Sequence, residues 1–110
     1  MKVAFLSSPY HGATEAIMTA NKHQAWADAT KLWTLGYGVI CPVLNTAGMS
    51  GVVPEECFLE FYLQLIPQCD IVVFSASWID SLGCCEENRL AHALNKPCFT
   101  IKSVPEARTL

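Results

Sequence analysis

Charge is scarce in this chain. Only 15% of its 110 residues are Asp, Glu, Lys or Arg, and none falls between Lys31 and Glu55. There is no run of Lys or Arg and the formal net charge is −3, so the basic stripe needed to hold a nucleic acid polymer or an anionic membrane surface is missing. The uncharged stretch is no membrane span, because Gly36, Gly38, Gly48, Gly51, Pro42 and Pro54 would break a spanning helix repeatedly. It reads as a helix end, a buried strand and a neutral loop. No Cys-x-x-Cys pair occurs, and His11, His23 and His92 have no metal-ligand spacing with the six cysteines, so no metal and no other cofactor is expected. No signal peptide precedes the cysteines, which are expected to be reduced, largely buried thiols of a cytoplasmic protein. Repeats, linkers and low-complexity tracts are also lacking, so residues 1–110 are expected to form one domain, with a loosely held tail after Val104.

What the chain has in abundance is apolar surface, at 52% hydrophobic residues. That is more than one small core absorbs, and a second copy is the expected cover, giving a homodimer or higher homo-oligomer. A helix over about 55–67, with Phe58, Phe61, Tyr62, Leu63 and Leu65, is the leading contact. Trp26 and Trp33 share a helix face and read as core or subunit contact, whereas His23 and His92 read as surface.

Apolar runs alternate with helical patterns. Residues 2–7, KVAFLS, suit a strand covered on both faces; 37–43, YGVICPV, 69–77, CDIVVFSAS, and 97–102, PCFTIK, are three more. Between them lie helices over about 19–35, stopped by Gly36, over about 55–67, and beyond residue 81. This order predicts an α/β fold, a flavodoxin/Rossmann-like three-layer sandwich whose parallel sheet has four to five strands joined by right-handed crossovers. In such sheets, ligands bind beyond the carboxyl ends of the strands where strand order reverses. For the order 2-1-3-4, the loops at that point are SSPYHG (7–12) and SASWIDSLG (75–83).

The helix after the second loop holds an anomaly. Its core-facing stripe of Leu90, Ala91 and Leu94, extended backward, lands on Glu87. An acid aimed inward at a crevice can capture the oxocarbenium-like centre formed when a base leaves a ribosyl carbon. The plainer reading is that Glu86 and Glu87 both complement the helix dipole, and for Glu86 it suffices. Cys84, near the same helix start, has no histidine placed to pair with it and reads as packing. His11 could touch a ligand or simply be solvated, and Trp78 could stack on a base or fill the gap between loops.

Taken in order, SSPY (7–10), GYGVICP (36–42), CDIVV (69–73) and above all SWIDSLGCCEENRLAHALNKP (77–97) resemble the nucleoside 2-deoxyribosyltransferase-like family, which includes 5′-nucleotide N-glycosidases and small uncharacterised phage and bacterial relatives. The family's pattern of Ser or Asp, any residue, Gly, three residues, Glu, three residues, Ala falls on Ser81, Gly83, Glu87 and Ala91. The resemblance implies that Glu87 is the nucleophile, that Asp70 handles the leaving base, and that the partner is a small nucleoside or nucleotide. Asp70 could equally be plain loop edge at a strand start. The resemblance also implies that Ser81 contacts a 5′-phosphate. A small hydroxyl beside the N–H groups of Gly83 and Cys84 suits an anion, and a helix-capping role for Ser81 is compatible with it. Ser7, Ser8, His11 and Gly12 in the first loop, with Trp78, Ser81 and Gly83 in the second, form the expected substrate-binding set. There are departures. Phe5 stands where the family often has a tyrosine that orients the nucleophile, leaving Tyr10 to replace it. Tyr62 stands near a frequent Asp, and the first loop lacks a phosphate-clamping Arg. The expected activity is N-glycosidic cleavage or transfer, hydrolysis ahead of base exchange; the alternative is a module of this fold that holds a nucleotide or ADP-ribose-like ligand without turnover.

Overall fold

Val3–Ser7 forms β1 at the middle of a four-stranded sheet in the computed structural model, which describes residues 1–110. The other strands are β2 (Gly38–Ile40), β3 (Ile71–Phe74) and β4 (Cys98–Thr100), in the order β2-β1-β3-β4 with every pair parallel. Phe5 lies between Ile40 and Val72, and Ser7 pairs with Phe74, so β1 and β3 end level at the carboxyl edge. Order reverses between these two strands, as the sequence predicts.

The period-2 alternation of β1 divides the core into two layers. Ala4 and Leu6 face Ala25, Ala29 and Leu32 of α1 (Glu15–Thr34). Phe5 faces the other side, with Tyr62 of α3 (Glu55–Leu65), Ile66, and Ala91 of α4 (Leu82–Ala93). All four residues of β3 are buried, as a strand covered on both faces requires. Each such side chain contributes about 1.5–3 kcal/mol by leaving water.

Helix and strand ends deviate from the sequence reading for local reasons. Helix α1 begins at Glu15, four residues before the predicted 19, because Thr14 Oγ1 accepts the Ile17 N–H and caps it. It stops where Gly36 takes φ +96°, a left-handed value that glycine adopts without strain. Strand β2 ends at Ile40, well short of 43, since Pro42 has no N–H to give a ladder and instead opens the single-turn helix α2 (Pro42–Asn45). Helix α3 tightens into a 3₁₀ turn at Ile66–Gln68, where Pro67 again removes a donor. Asn95, at φ 56°, closes the end of α4.

One expectation about the surface is corrected and another, core or subunit contact for two tryptophans, is narrowed to its second alternative. The tail is not loosely held: Val104 and Ala107 are buried, the Ala107 N–H bonds Leu35 O, and Tyr37 Oη donates to Pro105 O. Trp26 and Trp33 are not core, being 64% and 54% exposed on α1. Of the five apolar residues named on α3, Phe61 is the exposed one, while Tyr62 is buried in the chain's own core. No helix is long and apolar enough to cross a membrane. All six cysteines are free, with Cys41, Cys69 and Cys84 buried.

Candidate active site

Ser7 is the last residue of β1 and projects to the same side as Phe5, because side chains two apart on a strand share a face. On that side, the first turns of α4 bring Glu87 over the carboxyl edge of the sheet. The two side chains meet, Ser7 Oγ donating to Glu87 Oε1 at 2.6 Å. Glu87 is 5% exposed, and burial pushes its carboxyl up to about 7, offset in part by the Ser7 hydrogen bond. Its other oxygen, Oε2, makes no hydrogen bond inside the protein, yet no fully buried side-chain oxygen lacks a partner. Oε2 therefore opens on the cavity that Glu87 lines.

The cavity has a volume of about 380 Å³ and lies between the first loop, α2, α3 and the start of α4. Its walls are mostly apolar or uncharged, with Tyr10, Phe58 and Tyr62 offering flat ring surfaces. Charge enters through Glu55, Glu56 and Glu87; no Lys or Arg lines it, and His11 Nε2 lies 3.0 Å from Glu55 Oε2. No group of three His, Cys, Asp or Glu is arranged to hold a metal ion.

The predicted residues divide sharply. Ser8, Tyr10, His11, Ser81, Gly83 and Glu87 all line the cavity. Ser7 lies just behind it as the partner of Glu87, filling the orienting role the sequence reading gave to Tyr10, which makes no bond to the carboxylate. Ser81 caps α4 by accepting the Cys84 N–H at 3.2 Å, so that N–H, expected to face an anion, is already engaged, leaving the Ser81 hydroxyl proton and the Gly83 N–H. Cys84 is buried with its thiol pushed up to about 11, mainly by burial, which fits the packing role expected of it.

Three predicted residues stay outside. Asp70 sits at the amino end of β3, where Oδ2 accepts the Val3 N–H at 2.7 Å; it ties strand starts together at the opposite edge of the sheet from Glu87. A catalytic role for it is not supported by that placement. Trp78 packs on Phe74, ring centroids 5.2 Å apart, and fills the gap between loop and core instead of facing a ligand. Gly12 is exposed beside the cavity, and a side chain there would run into Ile17.

A buried carboxylate escaped the sequence reading. Asp28, on the sheet-facing side of α1, is 6% exposed and accepts from Gln24 Nε2 at 2.9 Å and from Ser75 Oγ at 2.7 Å. Ser75 Oγ in turn lies 2.5 Å from Ser8 Oγ on the cavity wall. The sequence signal was there: Asp28 falls between Ala25, Ala29 and Leu32 on the apolar stripe, the same anomaly that exposed Glu87.

A solved structure of similar shape is that of a 2-deoxyribosyltransferase from the psychrotolerant bacterium Bacillus psychrosaccharolyticus, a biocatalyst for the synthesis of antiviral and antitumoral nucleosides. It superimposes with a TM-score of 0.67 at 19% identity, covering 89% of this chain and 70% of that one, a likeness of fold. Among curated proteins none matches. The model of the family described as a domain of unknown function, DUF4406, matches residues 3–100, and the chain belongs to that family.

Proposed function

We propose that this chain breaks the N-glycosidic bond of a nucleoside or nucleoside 5′-monophosphate, with Glu87 as the nucleophile and water ahead of a second base as acceptor of the sugar. The observation that carries the reading is Glu87 itself: a buried carboxylate with Oε1 held by Ser7 and Oε2 opening on a cavity of about 380 Å³. A buried acid with one oxygen left unpartnered costs stability, and such groups concentrate at sites of chemistry. The cavity lies in the size range of small-molecule sites, and its aromatic walls suit a flat base. The fold shared with a 2-deoxyribosyltransferase supports a nucleoside as the ligand class.

In the first step, an Oε2 lone pair bonds to C1′ as the C1′–N bond breaks. The electron pair leaves on the base, which takes a proton from water. In the second step, water attacks C1′, the ester bond breaks, and Glu87 recovers its charge as the water proton is released. A 5′-phosphate would be received at the start of α4 by Ser81 and the Gly83 N–H.

The non-catalytic alternative draws on Phe5, which offers Glu87 no hydroxyl from the strand position where the resembled family often has a tyrosine. One experiment separates the two. Purified protein is incubated with a panel of nucleosides and their 5′-monophosphates, with and without an excess of a foreign base, and free base and exchanged nucleoside are followed by chromatography. Free base from the wild type and none from Glu87→Gln supports the proposal; binding without turnover favours the alternative.

A further inference from the structure

A hydroxyl has one proton to donate, and this settles the polarity of the buried chain behind the cavity. Ser75 Oγ gives its proton to Asp28 Oδ2 at 2.7 Å. In the 2.5 Å contact between Ser75 Oγ and Ser8 Oγ, Ser75 has nothing left to donate, so Ser8 is the donor. Its proton spent, Ser8 presents only lone pairs to the cavity it lines. Asp28 is committed on both oxygens, since Gln24 Nε2 holds Oδ1 at 2.9 Å. The three residues come from three separate segments: α1, the end of β3 and the end of β1.

Resting on the functional reading above, we infer that Ser8 is an obligate hydrogen-bond acceptor that selects a sugar hydroxyl of the nucleoside, with Asp28 the positioning residue that imposes this polarity through Ser75. The sugar is the favoured source of the donated proton because Ser8 and Glu87 line the same cavity, so a ribosyl ring whose C1′ meets Glu87 has Ser8 on a neighbouring wall. The same polarity refuses a phosphate at Ser8, because two acceptors would face each other; a phosphate is left to Ser81, which lines the same cavity.

The test uses the Glu87→Gln protein, in which bound ligand survives, and calorimetric titration with adenosine, guanosine, cytidine and uridine, their 2′-deoxy and 3′-deoxy counterparts, and purine riboside, which lacks the exocyclic amine. Removing one sugar hydroxyl is expected to weaken binding about five- to tenfold. Adding Ser8→Ala should impose the same loss on the intact nucleoside and no further loss on the deoxy form. Independent losses would overturn the sugar contact, and so would coupling of Ser8 to the exocyclic amine. No binding of any nucleoside or of its 5′-monophosphate would overturn the functional reading, and the contact with it. Asp28→Asn, with Oδ1 still held by Gln24, turns an amide N–H toward Ser75 and reverses the chain. A sugar hydroxyl can then accept from Ser8, so the intact nucleoside keeps its contact; the nucleoside with fluorine in place of that hydroxyl, which can only accept, should bind no better than the deoxy form before the change and better than it afterwards. Equal weakening of every ligand would mean that Asp28 serves the fold alone. If Asp28→Asn does not fold by circular dichroism, Ser75→Ala, which frees the Ser8 proton while keeping the carboxylate, decides the same point with the same fluorinated nucleoside.

Discussion

The 2.6 Å hydrogen bond from Ser7 Oγ to Glu87 Oε1 joins the last residue of the central strand to the second turn of α4, and it is the one contact that holds the buried carboxylate in place. The donor favours the ionised form, while burial favours the neutral one and wins, leaving Glu87 at about 7. A nucleophile must be ionised, so turnover should rise with pH through about 7 and level above it. Ser7→Ala removes the opposing influence. The acid limb of kcat/KM should therefore move to higher pH, with a smaller loss at the alkaline plateau. A limb that stays in place would mean that Ser7 does not tune the carboxylate.

Glu87→Gln should remove turnover and, in the same protein, raise stability in a pH-dependent way. The folded state holds the Glu87 proton up to about 7, whereas the unfolded chain releases it near 4.5. Below that window both states are protonated and the acid costs nothing. Across it, the folded state binds the extra proton and stability falls as pH rises; above it, the full penalty remains. The neutral amide escapes the penalty. Thermal melts should show Glu87→Gln more stable than wild type at about pH 8, by an amount on the order of 3 kcal/mol, and little different at about pH 4. Glu86→Gln, whose partner is Arg89 at 2.6 Å on the surface, is the control and should change little.

Much of this arrangement is legible in the chain because apolar periodicity is a local signal. It carries the four strands, the helices between them and the inward aim of Glu87, each within a single segment, whereas the order 2-1-3-4 rests on being the common one for such sheets. Contacts across segments are not carried that way. Nothing near Ser7 in sequence announces that it would reach a residue 80 positions away, so the orienting hydroxyl was sought at Tyr10. Asp28 interrupts an apolar stripe just as Glu87 does, but its partner Ser75 is 47 residues distant, and the stripe alone does not reveal the pair. Asp70 misleads in the opposite direction. An acid at a strand start has the right chemistry but the wrong edge of the sheet, and the first residues of a parallel strand lie away from the ligand crevice. The tail is hard to read because Val104 and Ala107 are two apolar residues in a short polar stretch, too few to establish a period, yet both reach the core beside Tyr37.

The exposed apolar side chains argue for self-association through a face that α3 shares with α1 and the β2 edge. Trp33 and Phe61 flank a groove at the β2 edge, with Val39, Ile40, Leu44 and Leu65 on its walls. Light scattering at micromolar concentration should report a dimer or larger species. Trp33→Lys and Phe61→Lys should each shift it toward monomer, because a charge in an apolar contact must be desolvated. A wild-type monomer would contradict the expectation.

The proposed preference for a 5′-phosphate should rest on Ser81. Three carboxylates and no Lys or Arg line the cavity, so an anion is opposed everywhere except at the start of α4, where the helix dipole, the Ser81 hydroxyl proton and the Gly83 N–H converge. Glu55 is half exposed and screened by solvent, and Glu87 loses its charge below about 7, so the opposition weakens as pH falls. A nucleoside 5′-monophosphate should accordingly bind better than its nucleoside, by a ratio that grows from about pH 8 to about pH 6. Losing one hydrogen bond to a charged group costs about 1.5–3 kcal/mol, which corresponds to a ten- to hundredfold loss of monophosphate binding in Ser81→Ala. Ser81→Asp can still cap the helix but sets a carboxylate against the phosphate, and should discriminate further against nucleotides while sparing nucleosides. Titration of the three proteins with one nucleoside and its monophosphate separates the two duties of Ser81. Equal losses for both ligands would mean that Ser81 caps α4 and nothing more.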